Sequence, residues 1–487
     1  MSPGRKGLVL AEPLLFEHAA SATSGMDLPD WDVAKSATTE IPAHLLRKSE
    51  TGLPQLSEPE VVRHFTRLST YNYSLDAGFY PLGSCTMKYN PKINDWVASL
   101  EGFANAHPYA PFEHNKGLLE ILWEHKEQLK EISGMDEVCL HPAAGSHGEL
   151  LGMMLICAYH EDRGDFKRTK VLIPDSAHGT NPSSAAICNL ESVTLPSGPD
   201  GLIDMEALDK LMTDEVAGIM LTNPNTCGIF EINMKKVADL VHERGGQVYF
   251  DGANMNALVG IARPGDMNAD VLHFNVHKTF STPHGGGGPG AGPIGLKNHL
   301  AEFLPKPVLT KKEDFIFQDF NRPKSIGRIR SFYGNIGVLI RSWAFIKTLG
   351  GKGLTEMTGQ AVLSANYMKA RLQEKFHVPF DKQHCMHEVL LTDKNQEAST
   401  LDMAKGLIER GFHPPTIYFP LVVQGALLIE PTETESKESL DAFCDALLEL
   451  ATKSSEELHH LPETTFVQRV DETLAARKPI LKWDLKP

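Results

Sequence analysis

The 487-residue sequence lacks closely paired cysteines, long apolar runs and an excess of positive charge, features typical of disulfide-rich, membrane and nucleic-acid-binding proteins. Its 7 cysteines are dispersed and none forms a CxxC pair, which argues against a disulfide framework and a structural zinc site. No apolar run reaches the roughly 18 residues that a membrane-spanning helix needs. Positive charge is also scarce, and the net charge of -15 disfavours non-specific binding to nucleic acid. We therefore expect no metal, no nucleic-acid partner and no membrane partner.

The N-terminus carries little sign of a secretory signal peptide. Arg5 and Lys6 precede the apolar stretch GLVLAEPLLF, but Glu12 and Pro13 interrupt it. A signal peptide needs an unbroken apolar segment and a small-residue cleavage site. The expected location is therefore the cytoplasm, where thiols stay reduced.

Short apolar runs alternate with helical stretches from about residue 115 onwards. Because strands separated by helices form parallel sheets, we predict an α/β fold with a mostly parallel sheet flanked by helices and a smaller C-terminal α+β domain. The predicted strands of the large sheet are 137–141, 170–173, 217–221, 248–251, 271–276 and 292–296. The predicted helices are 58–70, 115–133, 146–160, 232–244, 332–348, 353–376 and 435–452.

These elements divide the chain into four parts. The predicted parts are an N-terminal arm and interface segment (1–114), a large cofactor-binding domain (115–335), a small C-terminal domain (336–460) and an extended tail (461–487). Residues 300–331 are rich in Pro, Lys and Arg, and we expect an irregular surface loop there.

Lys278 lies just past an apolar strand, in the stretch DVLHFNVHKTFSTPHGGGGPGAGP. Ligands of open α/β sheets bind beyond the carboxyl ends of the strands. A partly desolvated lysine there can hold pyridoxal 5'-phosphate (PLP) as a Schiff base. The alternative is a solvated lysine that caps the strand. Thr279 and the glycine run 285–288 either shape the entrance of the site or form a passive turn.

Asp251 ends another apolar strand, in the stretch QVYFDGANMN. A buried carboxylate is costly unless it is paired. The protonated ring nitrogen of PLP would supply that partner, with Ala253 contacting the cofactor in the same turn. The alternative is an aspartate that caps a helix or a turn.

Three further polar loops follow predicted strands. In AAGSHGELLGM, the helix start at Gly145, Ser146 and His147 is suited to bind the cofactor phosphate. The alternative is a tight turn in which Ser146 and Glu149 form a capping box.

The other two loops are IPDSAHGTNPSSA and LTNPNTCGIFE. His178 in the first could stack on the cofactor ring or act as an acid or base, although a lone loop histidine is more often a surface residue. Asn223, Asn225 and Thr226 in the second could hydrogen-bond the cofactor hydroxyl, or could form a plain Asn-Pro turn.

Longer strings of sequence carry a family resemblance. They are FYPLGSCTMKYNP, HPAAGSHGE, HGTNPSSA, YFDGANMNA, HFNVHKTFSTPHGGGGPGAGP and IEPTETESKESLD. With them, the chain resembles the P-protein of the glycine cleavage system, a PLP-dependent glycine decarboxylase. More narrowly, it resembles subunit 2 of the two-subunit bacterial form.

This resemblance implies the aminotransferase-like fold of fold-type-I PLP enzymes. It implies decarboxylation of glycine and transfer of the aminomethyl group to the lipoyl arm of H-protein. It assigns Lys278 to the Schiff base, Asp251 to the pyridine nitrogen, His178 to the ring face and the 144–147 turn to the phosphate. His178 or His277 would handle protons or contact the phosphate. A homologous subunit 1 and an α2β2 heterotetramer are also implied.

Some features stay open. His147 stands where long P-proteins have glutamine, which puts its role in doubt. The 79–91 motif, with Tyr80, Ser84, Cys85, Thr86 and Lys88, would line the lipoyl-arm entrance or, as we favour, pack at a subunit interface. Arg328, Arg330 and Arg341 are undecided candidates for the substrate carboxylate.

Two other functions are compatible with the sequence. One is a fold-type-I lyase that resembles serine hydroxymethyltransferase or threonine aldolase. The other is a scaffold subunit without chemistry, against which the presence of both Lys278 and Asp251 argues.

Overall fold

The computed structural model describes residues 12–17, 29–30, 32, 41–49, 53–284, 290–465 and 467–482. The described residues form two compact units, one from Leu75–His459 and the other from the stretches before and after it. The glycine run 285–288 lies outside the described residues, and so do residues 1–11, 18–28, 31, 33–40 and 50–52 of the expected N-terminal part. In the described ranges, no helix is long and apolar enough to cross a membrane.

The larger unit is built on a seven-stranded sheet with the spatial order β1-β7-β6-β5-β4-β2-β3. Its strands are β1 (Glu137–Cys139), β2 (Lys170–Pro174), β3 (Glu191–Leu195), β4 (Val216–Thr222), β5 (Gln247–Gly252), β6 (Val271–Phe274) and β7 (Ile294–Leu296). Neighbours from β6 to β3 are parallel, and β7 is antiparallel to β1 and β6. The predicted, mostly parallel sheet is confirmed. The sequence does not predict β3 because this edge strand has mostly exposed side chains.

Helices cover both faces of this sheet. In chain order, those of the larger unit up to the small domain are α2 (Lys92–Ala98), α3 (Glu101–Ala104), α4 (Phe112–Ser133), α5 (Gly145–Asp162), α6 (Thr180–Ile187), α7 (Met205–Leu211), α8 (Met234–Glu243) and α9 (Ile336–Leu372). Helix α4 ends at Gly134, whose φ of 68° is a left-handed conformation that glycine adopts without strain. That is the end that the sequence predicts.

Alternate side chains of the central strands enter two different apolar cores. Phe250 and Leu272 pack with residues of α4, α8 and α9. Tyr249 and Val271 pack on the opposite face with residues of α5. Asp251 has the parity of Tyr249, so its carboxylate belongs to the face that α5 covers.

A small antiparallel sheet follows, in the order β10-β12-β11. Its elements are β10 (Val389–Thr392), α10 (Thr400–Glu409), β11 (Thr416–Ile417), β12 (Ala426–Ile429), α11 (Lys437–Leu450) and α12 (Ser455–His459). Helix α9 is broken at Gly350, where φ is 60°, which agrees with the two separate helices predicted over this stretch.

The segment 79–86 adds to this small sheet. Leu82 pairs with Ile429, and the Gly83 N–H donates to the Leu428 carbonyl at 3.2 Å. A Cβ added at Gly83 would lie 2.4 Å from the same carbonyl oxygen, so only glycine permits this approach. Part of the 79–91 motif is therefore held against the small domain.

Two expectations from the sequence are wrong. Residues 300–331 contain a hairpin of β8 (Val308–Lys312) and β9 (Phe315–Asp319), in which apolar side chains such as Leu309 and Ile316 are buried. The tail is not extended throughout, because α13 (Glu472–Arg477) forms behind the capping side chain of Asp471. In both places the elements are short and contain charged residues, so the sequence shows no clear strand or helix periodicity.

The smaller unit contains helix α1 (Glu58–Ser69), as the sequence predicts. Ser57 and Glu60 form a capping box at its start. The Glu12 carboxylate accepts hydrogen bonds from His64 Nδ1 at 2.9 Å and from Arg67 Nη1 at 3.0 Å, which ties the residues near Glu12 to this helix.

Candidate active site

A cavity of about 310 Å³ opens at the carboxyl ends of β2, β4, β5 and β6. Such a volume suits a small organic ligand. Its lining consists of Ser84, Ala144, Gly145, Ser146, Glu149, His178, Thr180, Thr222, Thr226, Asp251, Ala253, Asn254, Asn275, His277, Lys278, His284 and Gly290. Eight of the eleven residues that the sequence nominates as cofactor contacts are therefore brought together, and His147, Asn223 and Asn225 are not among the lining residues.

Lys278 projects into this cavity and not into solvent. Its Nζ donates to the Ser84 carbonyl at 2.9 Å. Its backbone N–H donates to the Asn275 carbonyl at 2.9 Å, which fixes the turn that follows β6. The alternative of a solvated, strand-capping lysine does not fit these contacts.

Asp251 is 1% exposed at the end of β5. Its Oδ1 accepts the Ala253 N–H at 2.9 Å and lies 3.4 Å from Nε2 of His273. His273 in turn contacts the Tyr249 hydroxyl at 2.5 Å and the Asn275 amide at 2.9 Å. Burial lowers the pKa of His273, so the imidazole lies beside the carboxylate as a neutral group.

Glu149 is a further carboxyl group of the cavity that the sequence suggested only as part of a capping box. Burial, and then the negative charge of Asp251, raise the pKa of Glu149 to about 8. Its carboxyl accepts the Thr180 hydroxyl at 2.9 Å. The N-cap of α5 is Ala144, so the capping box of Ser146 and Glu149 does not form.

The start of α5 also lines the cavity. Because Ala144 has no capping side chain, the first N–H groups of this 18-residue helix are available to an anion. Gly145 approaches Asn275 so closely that an added Cβ would lie 2.0 Å from its Oδ1. Ser146 and His277 lie beside this N-terminus in the lining.

Two nominated residues have local roles outside the cavity lining. His147 Nδ1 accepts the Ala143 N–H at 3.2 Å. The amide of Asn225 closes its own turn, since Oδ1 accepts the N–H groups of Cys227 at 3.0 Å and Ile229 at 3.2 Å. The Asn-Pro turn alternative therefore describes the geometry of Asn225.

His178 and Thr226 line the cavity, and the polar group of each already makes a contact within the protein. His178 Nδ1 contacts the Thr180 hydroxyl at 3.1 Å. Burial, and then the charge of Lys278, lower the pKa of His178, so its ring is neutral near neutral pH. The Thr226 hydroxyl donates to the Ser176 carbonyl, which leaves its oxygen free only to accept.

None of the three candidate arginines lines this cavity. Arg341 pairs with Asp95 at 2.6 Å, and Arg328 stacks on the rings of Tyr109 and Phe320. Arg330 donates to the His141 carbonyl at 3.3 Å.

Comparison with known proteins gives the family of the chain. Residues 30–316 match the family described as "Glycine cleavage system P-protein", and residues 357–469 match "Glycine dehydrogenase, C-terminal domain". The first match covers more than half of the chain. The chain belongs to the glycine cleavage system P-protein family.

Relatives of this P-protein chain match it along nearly its whole length. A protein of Caldanaerobacter subterraneus subsp. tengcongensis named "Probable glycine dehydrogenase (decarboxylating) subunit 2" is 53% identical, over 96% of this chain and 98% of the relative. A protein of the same name from Alkaliphilus oremlandii is 52% identical over 97% of this chain and 98% of the relative. The family predicted from the sequence is confirmed.

Solved structures share the fold of this P-protein chain. A crystal structure of glycine decarboxylase (P-protein) of the glycine cleavage system, in inhibitor-bound form, has a TM-score of 0.71 at 22% identity, covering 85% of this chain and 94% of that one. A cysteine desulfurase from Thermococcus onnurineus NA1 has a TM-score of 0.61 at 16% identity, covering 77% and 95%. The predicted fold-type-I, aminotransferase-like fold is confirmed.

Proposed function

We propose that this chain decarboxylates glycine in the glycine cleavage system and transfers the aminomethyl group to the lipoyl arm of H-protein. The relatives named glycine dehydrogenase (decarboxylating) subunit 2 support the reaction. The observation that carries the proposal in this chain is the single cavity lined by Lys278, Asp251 and the uncapped start of α5.

The cofactor that fits this cavity is PLP. An aldehyde needs an amine, which Lys278 offers, and a protonated ring nitrogen needs a buried carboxylate, which Asp251 offers. A phosphate needs N–H donors, and these are present at Gly145 and Ser146. When bound, PLP supplies an electron sink for the bond that breaks in the amino acid.

The residues around this group then have separable tasks. Lys278 Nζ would hold the cofactor covalently until the amine of the substrate takes its place. Asp251 would keep a proton on the ring nitrogen, and the Ala253 N–H, donated to Oδ1 at 2.9 Å, holds this carboxylate in place. Because the Asp251 carboxylate is buried, its charge is little screened by water.

The ring and phosphate contacts come from the other strands. His178 lies with a neutral imidazole in the lining, suited to pack on the ring face or to accept a proton. Thr226 and Ala253 line the same cavity and would contact the ring. His277, whose pKa burial lowers to about 3, also lines the cavity; its neutral ring donates Nδ1–H to the Ala291 carbonyl at 3.2 Å and leaves Nε2 as an acceptor.

The proposed assembly contains more than this chain. The name "subunit 2" of the relatives supports a homologous subunit 1, and we propose an α2β2 heterotetramer. The lipoyl arm of H-protein would deliver the disulfide that receives the aminomethyl group. We propose the cytoplasm as the location of this assembly.

The test is glycine-dependent exchange of labelled bicarbonate into glycine. The chain is reconstituted with PLP, subunit 1 and lipoylated H-protein, and compared with Lys278→Ala. Exchange that depends on H-protein and is lost in the variant is the expected result. Cleavage of serine or threonine without bicarbonate exchange would contradict the proposal.

A further inference from the structure

A buried group of titratable side chains lies behind the turn at Ser84. His387, Glu388 and Glu430 are each at most 1% exposed, and ligand atoms from all three lie within 4.8 Å of one another. Neither nitrogen of His387 has a hydrogen-bond partner in the described part of the chain. None of the three lines the cavity, and the proposed function gives them no task.

The register of the small sheet brings two of these carboxyl groups together. Val389 of β10 pairs with Ile429 of antiparallel β12, so the next residues, Glu388 and Glu430, face each other. Two opposed carboxylates repel, and burial makes the repulsion worse. Carboxyl oxygens of the two residues lie within 4.8 Å of each other, and two carboxylates this close in a buried place do not both ionise. The pair therefore holds one proton.

This pair also clamps the turn that contacts Lys278. The Ser84 N–H donates to Glu388, and the Thr86 hydroxyl donates to Glu430 at 2.5 Å. Ser84 has a φ of 63°, a conformation that a residue other than glycine keeps only when its surroundings enforce it. The carbonyl of the same residue accepts the hydrogen bond from Lys278.

We propose that Glu388 and Glu430, sharing one proton, are positioning residues that hold the Ser84 carbonyl where it orients the Lys278 amine. The proposal rests on the cofactor-binding role given to Lys278 above. Removal of the shared proton leaves two buried negative charges that repel each other, so the carboxylates move apart and the turn that they hold shifts. The orientation of the amine is therefore sensitive to pH.

Among the described residues, Lys278 is the cation that faces this pair, and Lys88 of the 79–91 motif is already paired with Glu433 at 2.6 Å. The charged or titratable groups that face it are Lys278 after β6, Cys85 in the turn, His387 beside β10 and Glu433 after β12. Burial raises the pKa of Glu388 to about 7 and that of Glu430 further, and lowers the pKa of His387 to about 3. The imidazole is thus neutral when the pair titrates.

The test follows the reactivity of Lys278 in the full chain without PLP. Glu388→Gln and Glu430→Gln each keep a hydrogen bond across the pair and one negative charge, but have no shared proton to lose. An amine-directed acylating reagent is applied from neutral to alkaline pH, and the Lys278 peptide is quantified by mass spectrometry. Glu231→Gln is the control, because Glu231 is another buried carboxyl group with a raised pKa and its contacts are to Ile203 and Asn233.

In the native chain, the Lys278 rate should rise at alkaline pH about tenfold more than amine deprotonation explains. That factor is what a released hydrogen bond from a charged donor is worth. Both glutamine variants should lose the extra rise, and Glu231→Gln should keep it. The same pH profile in all four chains would overturn the proposal.

Two further measurements keep the test decisive. At alkaline pH, Glu430→Gln should unfold at a higher temperature than the native chain, because the native pair is then doubly charged. The difference between the two midpoints should shrink as the pH is lowered and the native pair regains its proton. If the native chain binds one metal ion and Glu430→Gln does not, the proposal that the pair shares a proton is wrong. These measurements use neither glycine nor PLP. Their outcome can therefore be interpreted even if the bicarbonate exchange assay fails.

Discussion

Replacement of Gly145 by alanine changes the closest contact of the proposed phosphate site. The new Cβ would lie 2.0 Å from Oδ1 and 3.0 Å from Cγ of Asn275. Separations this short do not occur between non-bonded atoms, so either the Asn275 amide or the start of α5 must move. The substitution therefore disturbs the cofactor site without removing a functional group.

The structure gives the size of each outcome. If Asn275 moves, its 2.9 Å hydrogen bond to His273 is lost, and an unsatisfied buried group costs about 1–3 kcal/mol of stability. If the helix start moves, the phosphate loses a charge-assisted hydrogen bond worth about 1.5–3 kcal/mol, which weakens PLP binding by roughly 10- to 150-fold. The helix propensity of alanine returns at most about 1 kcal/mol. A net loss is expected in either case.

Gly117→Ala is the matched control. Gly117 is exposed on α4, and nothing lies within 4 Å of an added Cβ, so this variant should gain up to about 1 kcal/mol. Chemical unfolding of the PLP-free chains and PLP titration monitored by absorbance measure the two quantities. A Gly145→Ala variant with native stability and native PLP affinity would refute the reasoning.

Three further predictions concern Asp251, Glu149 and the Tyr249–His273 contact. Asp251→Asn should still attach PLP but should lose bicarbonate exchange about 100-fold or more, because the ring nitrogen loses its charged partner; unchanged exchange would contradict this. The protonated Glu149 stabilises the fold fully below its ordinary pKa of 4.5, and that contribution is lost as pH rises through about 8. In Glu149→Gln, the free energy of urea unfolding should therefore fall less with pH over this range. The difference is at most about 5 kcal/mol, since one unit of pKa shift corresponds to about 1.4 kcal/mol. The same pH dependence in the variant as in the native chain would count against this prediction. Tyr249→Phe should cost about 1–3 kcal/mol in urea unfolding because His273 Nδ1 is left unpaired, whereas a neutral effect would mean that the contact is unimportant.

The sequence predicts the main sheet well because its central strands are buried on both faces. All seven residues of β4 and all six of β5 are buried, and such continuous apolar runs are readily recognised. The edge strand β3 and the hairpin β8–β9 have exposed, charged residues and leave no such pattern.

The site is predicted where a residue directly follows a strand. Lys278 and Asp251 stand at strand ends, and their side chains meet in one cavity. Ser84 enters the same cavity from the 79–91 motif, for which the sequence left an entrance and a subunit interface open, and its contact with Lys278 is through the backbone carbonyl, which side-chain patterns do not predict. His273 could have been found, since it shares the parity of the residues on the Asp251 face.

Asn225 shows the limit of this reasoning. It follows β4 as a cofactor ligand would, but its amide satisfies three backbone groups of neighbouring loops. Only the three-dimensional turn decides whether such a side chain faces the ligand or its own backbone.

The central claim is that Nζ of Lys278 holds PLP beside Asp251. The direct measurement is to incubate the chain with PLP, reduce the linkage with borohydride and map the modified peptide by mass spectrometry. We predict that the reduced cofactor is found on Lys278 in stoichiometric amount and is absent from that position in Lys278→Ala. Cofactor attached to other lysines while Lys278 stays unmodified, even with subunit 1 present, would contradict the account.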